Sequence, residues 1–161
     1  MKSKNLNEFK KVLKEGMIAN FKKDGFLTPI LFFYMENKPM IIPVPSELFS
    51  CSENKQFFAK MIQNFCQENP VLAAGIIIEA NGVKMDTDSE MSKLVRNGDI
   101  KISELKEKQD IIFMLFSTPE GDDLISYVVD CKNKTIGEPF SVSKITNADG
   151  VFSGFFSWNK N

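Results

Sequence analysis

The chain has 161 residues, the length of one ordinary domain, and its 43% hydrophobic and 25% charged residues are a globular composition that excludes a disordered chain. Its 20 basic residues nearly balance 21 acidic ones, and it contains no histidine. The missing histidine excludes Ser-His-Asp triads, Cys-His pairs and histidine-bound zinc centres. No apolar run approaches the roughly 18 residues of a membrane-spanning helix, so we expect no membrane attachment.

The N-terminus and the cysteines bear on the cellular compartment. Residues 1–7 lack the apolar stretch of a secretory signal. Cys51, Cys66 and Cys131 form no C-x-x-C motif, which argues against zinc-ribbon and thioredoxin-like sites. We therefore expect a cytoplasmic protein with reduced, buried and inert thiols. Cys66 lies on the apolar stripe of a predicted helix, and we interpret it as a small buried hydrophobic residue and not as a nucleophile.

The first predicted element is an amphipathic helix over residues 5–24. Its apolar residues recur every three or four positions, as one helix face requires: Leu6, Phe9, Val12, Leu13, Met17 and Phe21. Seven lysines outnumber three acidic residues over residues 1–24, which suggests either a patch for nucleic acid or an acidic partner, or a solvated helix face. Arg96 is the only arginine of the chain, and lysines alone give little grip on nucleic acid. We favour the solvated face and do not expect nucleic-acid binding.

A β-hairpin is predicted next. Residues 27–36 and 40–44 are apolar runs of strand length, separated by the turn residues Asn37 to Pro39. Pro29 and Pro43 lack the N–H that a strand ladder uses, so we expect them at strand ends, at bulges or on an edge.

A second helix and a central strand follow the hairpin. The helix is predicted from Ser52 or Glu53 to about Glu68, with one apolar stripe: Phe57, Phe58, Met61, Ile62, Phe65 and Cys66. Residues 71–80, with three isoleucines at 76–78, are predicted as the best-buried strand of the chain.

The second half is predicted as an exposed excursion followed by strands. Residues 85–109 are dense in charge, with a short helix from Ser89 to Asn97 closed by Gly98, and excursions of this length are usually functional or mobile. Strands are predicted at residues 110–117, 123–131 and 135–142, with a last short strand near 151–158. The sequence thus predicts one α+β domain over residues 1–161, with two main helices against one side of a mostly antiparallel sheet of five or six strands.

Carboxylates are the remaining candidates for chemistry. Asp86, Asp88 and Glu90 alternate like the start of a calcium loop, but methionine and asparagine stand where that loop needs glycine and glutamate. A solvated acidic loop is the better interpretation. Glu79 ends the predicted central strand, either as a functional carboxylate or as an outward-facing strand residue. The candidate site residues are Glu79, Asp86 and Asp88, and we identify no catalytic residue, no metal ligand and no cofactor.

Two segments resemble a known group of proteins. Residues 21–30, Phe-Lys-Lys-Asp-Gly-Phe-Leu-Thr-Pro-Ile, and residues 40–45, Met-Ile-Ile-Pro-Val-Pro, resemble a group of small uncharacterised bacterial and phage proteins. In that group a helix ends in Asp-Gly, a strand with an early proline leads into a hairpin, and a long helix and a hydrophobic strand follow. The strand often ends in Ser-Glu-Ala-Trp, of which Glu79 and Ala80 are matched here. The resemblance implies this order of elements for the N-terminal half and carries no activity.

These observations favour a non-enzymatic interaction or accessory protein, encoded by a phage or a mobile element, whose protein partner the sequence does not identify. The alternative is a histidine-free, divalent-metal-dependent hydrolase or nuclease that uses carboxylates. A separate hypothesis concerns the C-terminal aromatics, Phe152, Phe155, Phe156 and Trp158. A terminal strand that is apolar on both faces needs cover on both, so this tail is predicted either to form a homodimer or to close the core.

Overall fold

The computed structural model describes residues 2–36, 38–49, 51–82, 88–100, 104–106 and 108–142. Within them the helices and strands are, in chain order, α1 (Lys2–Asp24), β1 (Ile30–Met35), β2 (Lys38–Pro43), a short 3-10 helix (Ser46–Phe49), α2 (Ser52–Glu68), β3 (Val71–Gly82), α3 (Glu90–Arg96), β4 (Gln109–Thr118), β5 (Gly121–Asp130) and β6 (Thr135–Val142). These elements confirm the predicted α+β class. No helix in the described part of the chain is long and apolar enough to cross a membrane. The strand predicted near residues 151–158 lies outside the described residues.

The six strands form one antiparallel sheet in the order β2-β1-β3-β4-β5-β6. Most neighbours in the sheet are also neighbours in the chain. The exception is the pairing of β1 with β3, because α2 carries the chain from β2 past β1 to β3. Ile76 and Ile77 of β3 are buried, as predicted for the central strand.

The first hairpin differs slightly from its prediction. Lys38 and Pro39, expected in the turn, already belong to β2 and pair with Met35 and Tyr34. The turn therefore comes earlier, at Glu36, whose φ is 35°. The hairpin places β2 at the edge of the sheet with a proline as its last residue, which confirms the position expected for that proline.

Each face of the sheet carries one long helix. Alternate strand residues point to opposite faces. α1 packs on the face that includes Phe32 and Ile77, the α1 face, and α2 packs on the face that includes Phe33 and Ile76, the α2 face. The prediction that both helices lie against one side is therefore wrong. The physical reason is that β1 and β3 are apolar without alternation and bury both of their faces, so each face needs its own cover.

Aromatic rings fill the centre of the α1 face. Phe9 of α1 packs edge-on against Phe32, with ring centroids 5.8 Å apart, and Phe32 lies 5.6 Å from the ring of Phe116. The Phe32 ring covers Gly75 so closely that a Cβ at this glycine would lie 2.3 Å from its Cζ atom. Only glycine leaves room for the ring here.

Both halves of α1 are tied to the second half of the chain. Lys10 forms a salt bridge with Asp123 of β5. At the other end, Gly25 takes the left-handed conformation with a φ of 77°, and α1 ends at residue 24, as predicted. Lys134, in the turn before β6, donates from its Nζ to the backbone oxygen of Lys23 at 3.1 Å. These contacts fix the direction of α1 across the sheet.

The excursion between β3 and β4 contains the short helix predicted there. α3 begins after Ser89, whose side chain accepts a hydrogen bond from the backbone N–H of Ser92 at 3.1 Å. It ends before Gly98, which has a φ of 80°. Most described residues of the excursion are exposed, as expected.

Candidate functional site

Glu79 lies near the end of β3, on the α1 face, opposite Ile112 of β4. The turn between α1 and β1 passes beside it, and the backbone N–H of Leu27 donates to its Oε1 atom at 2.5 Å. Partial burial raises the pKa of the Glu79 carboxyl, the Leu27 hydrogen bond lowers it, and the charge of Asp110 raises it again. The net direction is upward. Glu79 thus anchors the turn after α1 to β3. The sequence pattern of the strand does not predict this role.

A thiol and a second carboxylate lie beside Glu79. The Sγ atom of Cys131 lies 3.9 Å from Oδ2 of Asp110, to which the thiol donates. Burial raises the pKa of the Cys131 thiol, and the negative charges of Glu79, Asp110 and Asp130 raise it further. The thiol is therefore protonated at neutral pH and is a weak nucleophile. The carboxylates of Glu79 and Asp110 therefore accept hydrogen bonds here, and they do not activate the Cys131 thiol as a nucleophile.

Glu79 and Asp88 are the two candidate carboxylates that the structure describes. Across the described residues, no group of three or more cysteine, aspartate or glutamate side chains is arranged to hold a metal ion. Asp88 is exposed in the turn before α3, and Asp86 lies outside the described residues. Glu79 is therefore the candidate whose surroundings are defined, and its carboxylate already accepts a backbone hydrogen bond.

The cysteines correct one prediction. Cys66 is buried on the α2 face with Phe58 and Ile62, and burial raises the pKa of its thiol to about 12, which agrees with the interpretation as a buried hydrophobic residue. Cys51, however, is exposed and Cys131 is half-buried, so the prediction that all three thiols are buried is wrong. Cys51 is the residue just before α2, and helix ends lie at the surface because their free backbone groups need water or a cap.

Exposed apolar side chains gather along the β2 edge of the sheet. All six residues of β2 are exposed. Met40 and Ile42 lie on the α2 face, because their cross-strand partners are Phe33 and Leu31 and directly opposite residues share a face.

Phe57 and Met61 of α2 are also exposed. They form one helical row with Phe65 at a spacing of four residues, and the Phe65 ring packs on Phe33 of β1 at 4.5 Å between centroids. Phe33 lies on β1, with Met40 of β2 on one side of it and Ala74 of β3 on the other. The exposed fractions are 67% for Phe57, 49% for Met61, 37% for Met40 and 38% for Ile42. We call these four side chains the apolar shelf.

The apolar shelf also corrects the predicted core. Phe57 and Met61 are predicted within the buried stripe of the second helix, and Val12 within that of the first, but all three are exposed. A helix on a sheet buries a stripe about 100° wide, and these residues lie outside its margin. The spacing of apolar residues predicts the buried stripe of a helix, but it does not predict where the strands beneath that helix end.

The other predicted interface, Phe152, Phe155, Phe156 and Trp158, lies outside the described residues. Its proposed role in a homodimer stays a prediction.

No protein-family model, curated protein sequence or solved structure matches this chain. The resemblance of the N-terminal half to small bacterial and phage proteins, and with it the expected phage or mobile-element origin, stays a prediction.

Proposed function

We propose that this is a non-enzymatic interaction protein that binds a protein partner through the apolar shelf. The observation that carries the proposal is the exposure of four large apolar side chains, two on the edge strand β2 and two on α2, which packs on the same face of the sheet. Taking roughly 200 Å² for each complete side chain, their exposed fractions leave about 400 Å² of apolar surface in water. Apolar patches of this size on single chains are often binding sites.

The groups that enzymatic chemistry would use support the same proposal. Glu79 accepts the Leu27 N–H, the Cys131 thiol is surrounded by carboxylates, and Cys66 lies in the core. The chain has no histidine to serve as a general base near neutral pH.

Photo-cross-linking in the native host tests the proposal. The full chain carries benzoylphenylalanine in place of Phe57, and the matched control carries it in place of Asn20, an exposed position of α1. We expect a discrete cross-linked protein from position 57 that is missing from position 20. Equal cross-linking from both positions, or none from position 57, would contradict the proposal.

A metal titration separates this proposal from the carboxylate-based hydrolase or nuclease. We expect no saturable binding of Mg²⁺ or Mn²⁺ to the purified chain. Saturable binding that Glu79→Gln abolishes would favour the enzyme and count against the interaction protein.

A further inference from the structure

We infer that two prolines, Pro39 and Pro43, prevent β2 from pairing with the β2 strand of a second copy of this chain. The inference concerns the main chain at the edge of the sheet and does not depend on the proposed function. Its support comes from the direction of the backbone groups of β2, from the exposed apolar side chains of that strand, and from the distribution of prolines in the sheet.

β2 is an edge strand that carries apolar side chains on both of its faces. It is the first strand in the order of the described sheet, so only one side of its main chain pairs with another strand. Met40 and Ile42 lie on the α2 face, whereas Ile41 pairs with Phe32 and lies on the α1 face. All three are exposed, Ile41 by 51%. An apolar edge of this kind is a template for pairing with another chain.

The two prolines occupy positions of β2 whose backbone groups point away from β1. The N–H of Val44 donates to the oxygen of Pro29 at 2.8 Å, which continues the β1–β2 ladder past its last pair. Bonded and non-bonded pairs alternate along an antiparallel ladder. Even-numbered residues of β2 therefore direct their N–H and C=O groups toward β1, and odd-numbered residues direct theirs outward. The outward positions are Pro39, Ile41 and Pro43, of which only Ile41 has an N–H.

This arrangement removes most of the hydrogen bonds that two β2 strands would form with each other. In the symmetric antiparallel register, Ile41 faces its own equivalent in the second copy, and Pro39 faces the equivalent of Pro43. The three facing pairs offer six hydrogen bonds, two for each pair, and four of the six need an N–H that proline lacks. Any other antiparallel register also has only one donor from each copy. The proline rings, moreover, project into the space that the added strand needs.

The distribution of prolines in the sheet supports the same inference. The chain has seven prolines, and three of them lie in strands: Pro39 and Pro43 in β2 and Pro139 in β6. β2 and β6 are the two edge strands, and the four strands between them contain no proline. Proline within the sheet is thus confined to the strands that a second chain could extend.

Restoring the missing donors tests this inference. In Pro39→Val/Pro43→Val the outward edge gains two N–H groups per chain, and valine suits a strand. In sedimentation velocity runs on the full chain, we expect self-association at least about tenfold stronger than that of the wild type. It should stop at a dimer, because two paired β2 strands close the interface. The matched control, Pro119→Val, changes an exposed proline in the turn between β4 and β5 and should leave association unchanged. Thermal melts check that the variants fold.

A further substitution identifies the strand that pairs. Because Ile41 faces its own equivalent in the symmetric register, Ile41→Lys added to the double variant places like charges opposite each other and should restore wild-type association. Phe57→Glu, on the apolar shelf, should leave the dimer intact. Hydrogen exchange at the Ile41 amide should be slower in the double variant than in the wild type.

Three results would overturn the inference. The first is a folded double variant that associates no more strongly than the wild type. The second is a dimer that survives Ile41→Lys or that Phe57→Glu dissociates, since its interface is then not β2. The third is protection of the Ile41 amide that rises with concentration in the wild type, because the prolines then fail to close the edge. If the double variant does not fold, Pro43→Val restores two of the four missing bonds and should strengthen association by a smaller factor, and no increase would refute the inference.

Discussion

One added methyl group at Gly75 should cost the fold several kcal/mol. In Gly75→Ala the new Cβ would lie 1.9 Å from the backbone oxygen of Leu115 and 2.3 and 2.9 Å from two atoms of the Phe32 ring. The ring is fully buried and is held in place by Phe9 and Phe116, and the oxygen belongs to the main chain of β4. Neither contact can relax by a simple side-chain rotation. Overpacked cores lose about 1–3 kcal/mol and occasionally more, so we expect a loss of about 3 kcal/mol or more here.

A second glycine-to-alanine substitution, which should stabilise the fold, serves as the control. Gly16 lies in α1, and a Cβ at this position would have nothing within 4 Å of it, so Gly16→Ala should stabilise the fold by about 0.5–1 kcal/mol through its helix propensity. Urea unfolding followed by circular dichroism measures both variants. A loss below about 1 kcal/mol in Gly75→Ala would refute the crowding argument. Adding Phe32→Leu to Gly75→Ala should recover only part of the loss, because the contact with Leu115 remains, and complete recovery would show that the main-chain contact is unimportant.

Three further outcomes follow from buried polar groups and thiols. Ser117 is fully buried, and its hydroxyl has no hydrogen-bond partner within the described part of the chain. Ser117→Ala should therefore raise the free energy of unfolding by about 1 kcal/mol. A urea melt that shows a loss of that size would contradict this prediction. The pKa of Glu79 in the folded state is raised above its ordinary 4.5, so the folded protein binds the Glu79 proton more tightly than the unfolded chain does. Stability should therefore fall as the pH rises from 4.5 through the raised pKa. Glu79→Gln keeps an oxygen for the Leu27 N–H and should flatten this decline in urea melts at increasing pH, and an unchanged slope would refute the assignment. A maleimide should label Cys51 in the native protein and Cys66 only on unfolding, and mass spectrometry showing equal labelling rates would place Cys66 outside the core.

Local patterns account for the elements that the sequence predicts. The apolar run around Phe32 and Phe33 and the isoleucines at 76–78 indicate strands because their neighbours in the sheet bury both faces. Ser89 and Gly98 bound α3 because a side-chain oxygen caps its first turn and a left-handed glycine follows its last. Each of these signals lies within a few residues of the element that it defines.

The features that the sequence does not predict depend on distant contacts. α2 lies on its face of the sheet because the chain crosses over β1 on its way from β2 to β3. The helical periodicity of its residues does not predict this path. Phe57 is exposed because the sheet covers only the stripe of α2 that contains Phe58, Ile62 and Cys66. Glu79 receives the N–H of Leu27, a residue 52 positions earlier in the chain, so its anchoring role becomes visible only when β1 and β3 are paired.

The two ties of α1 affect the order in which the chain can mature during its synthesis. The ribosome delivers α1 first, yet Asp123 and Lys134, which hold it, come 113 and 111 residues after their partners Lys10 and Lys23. At about 5–20 residues per second, the helix waits roughly 5–20 s for them. During that interval its apolar stripe can pack first against the β1–β2 hairpin, then against β3 and finally against β4. The nascent chain is therefore expected to need chaperone protection most before β5 leaves the ribosome.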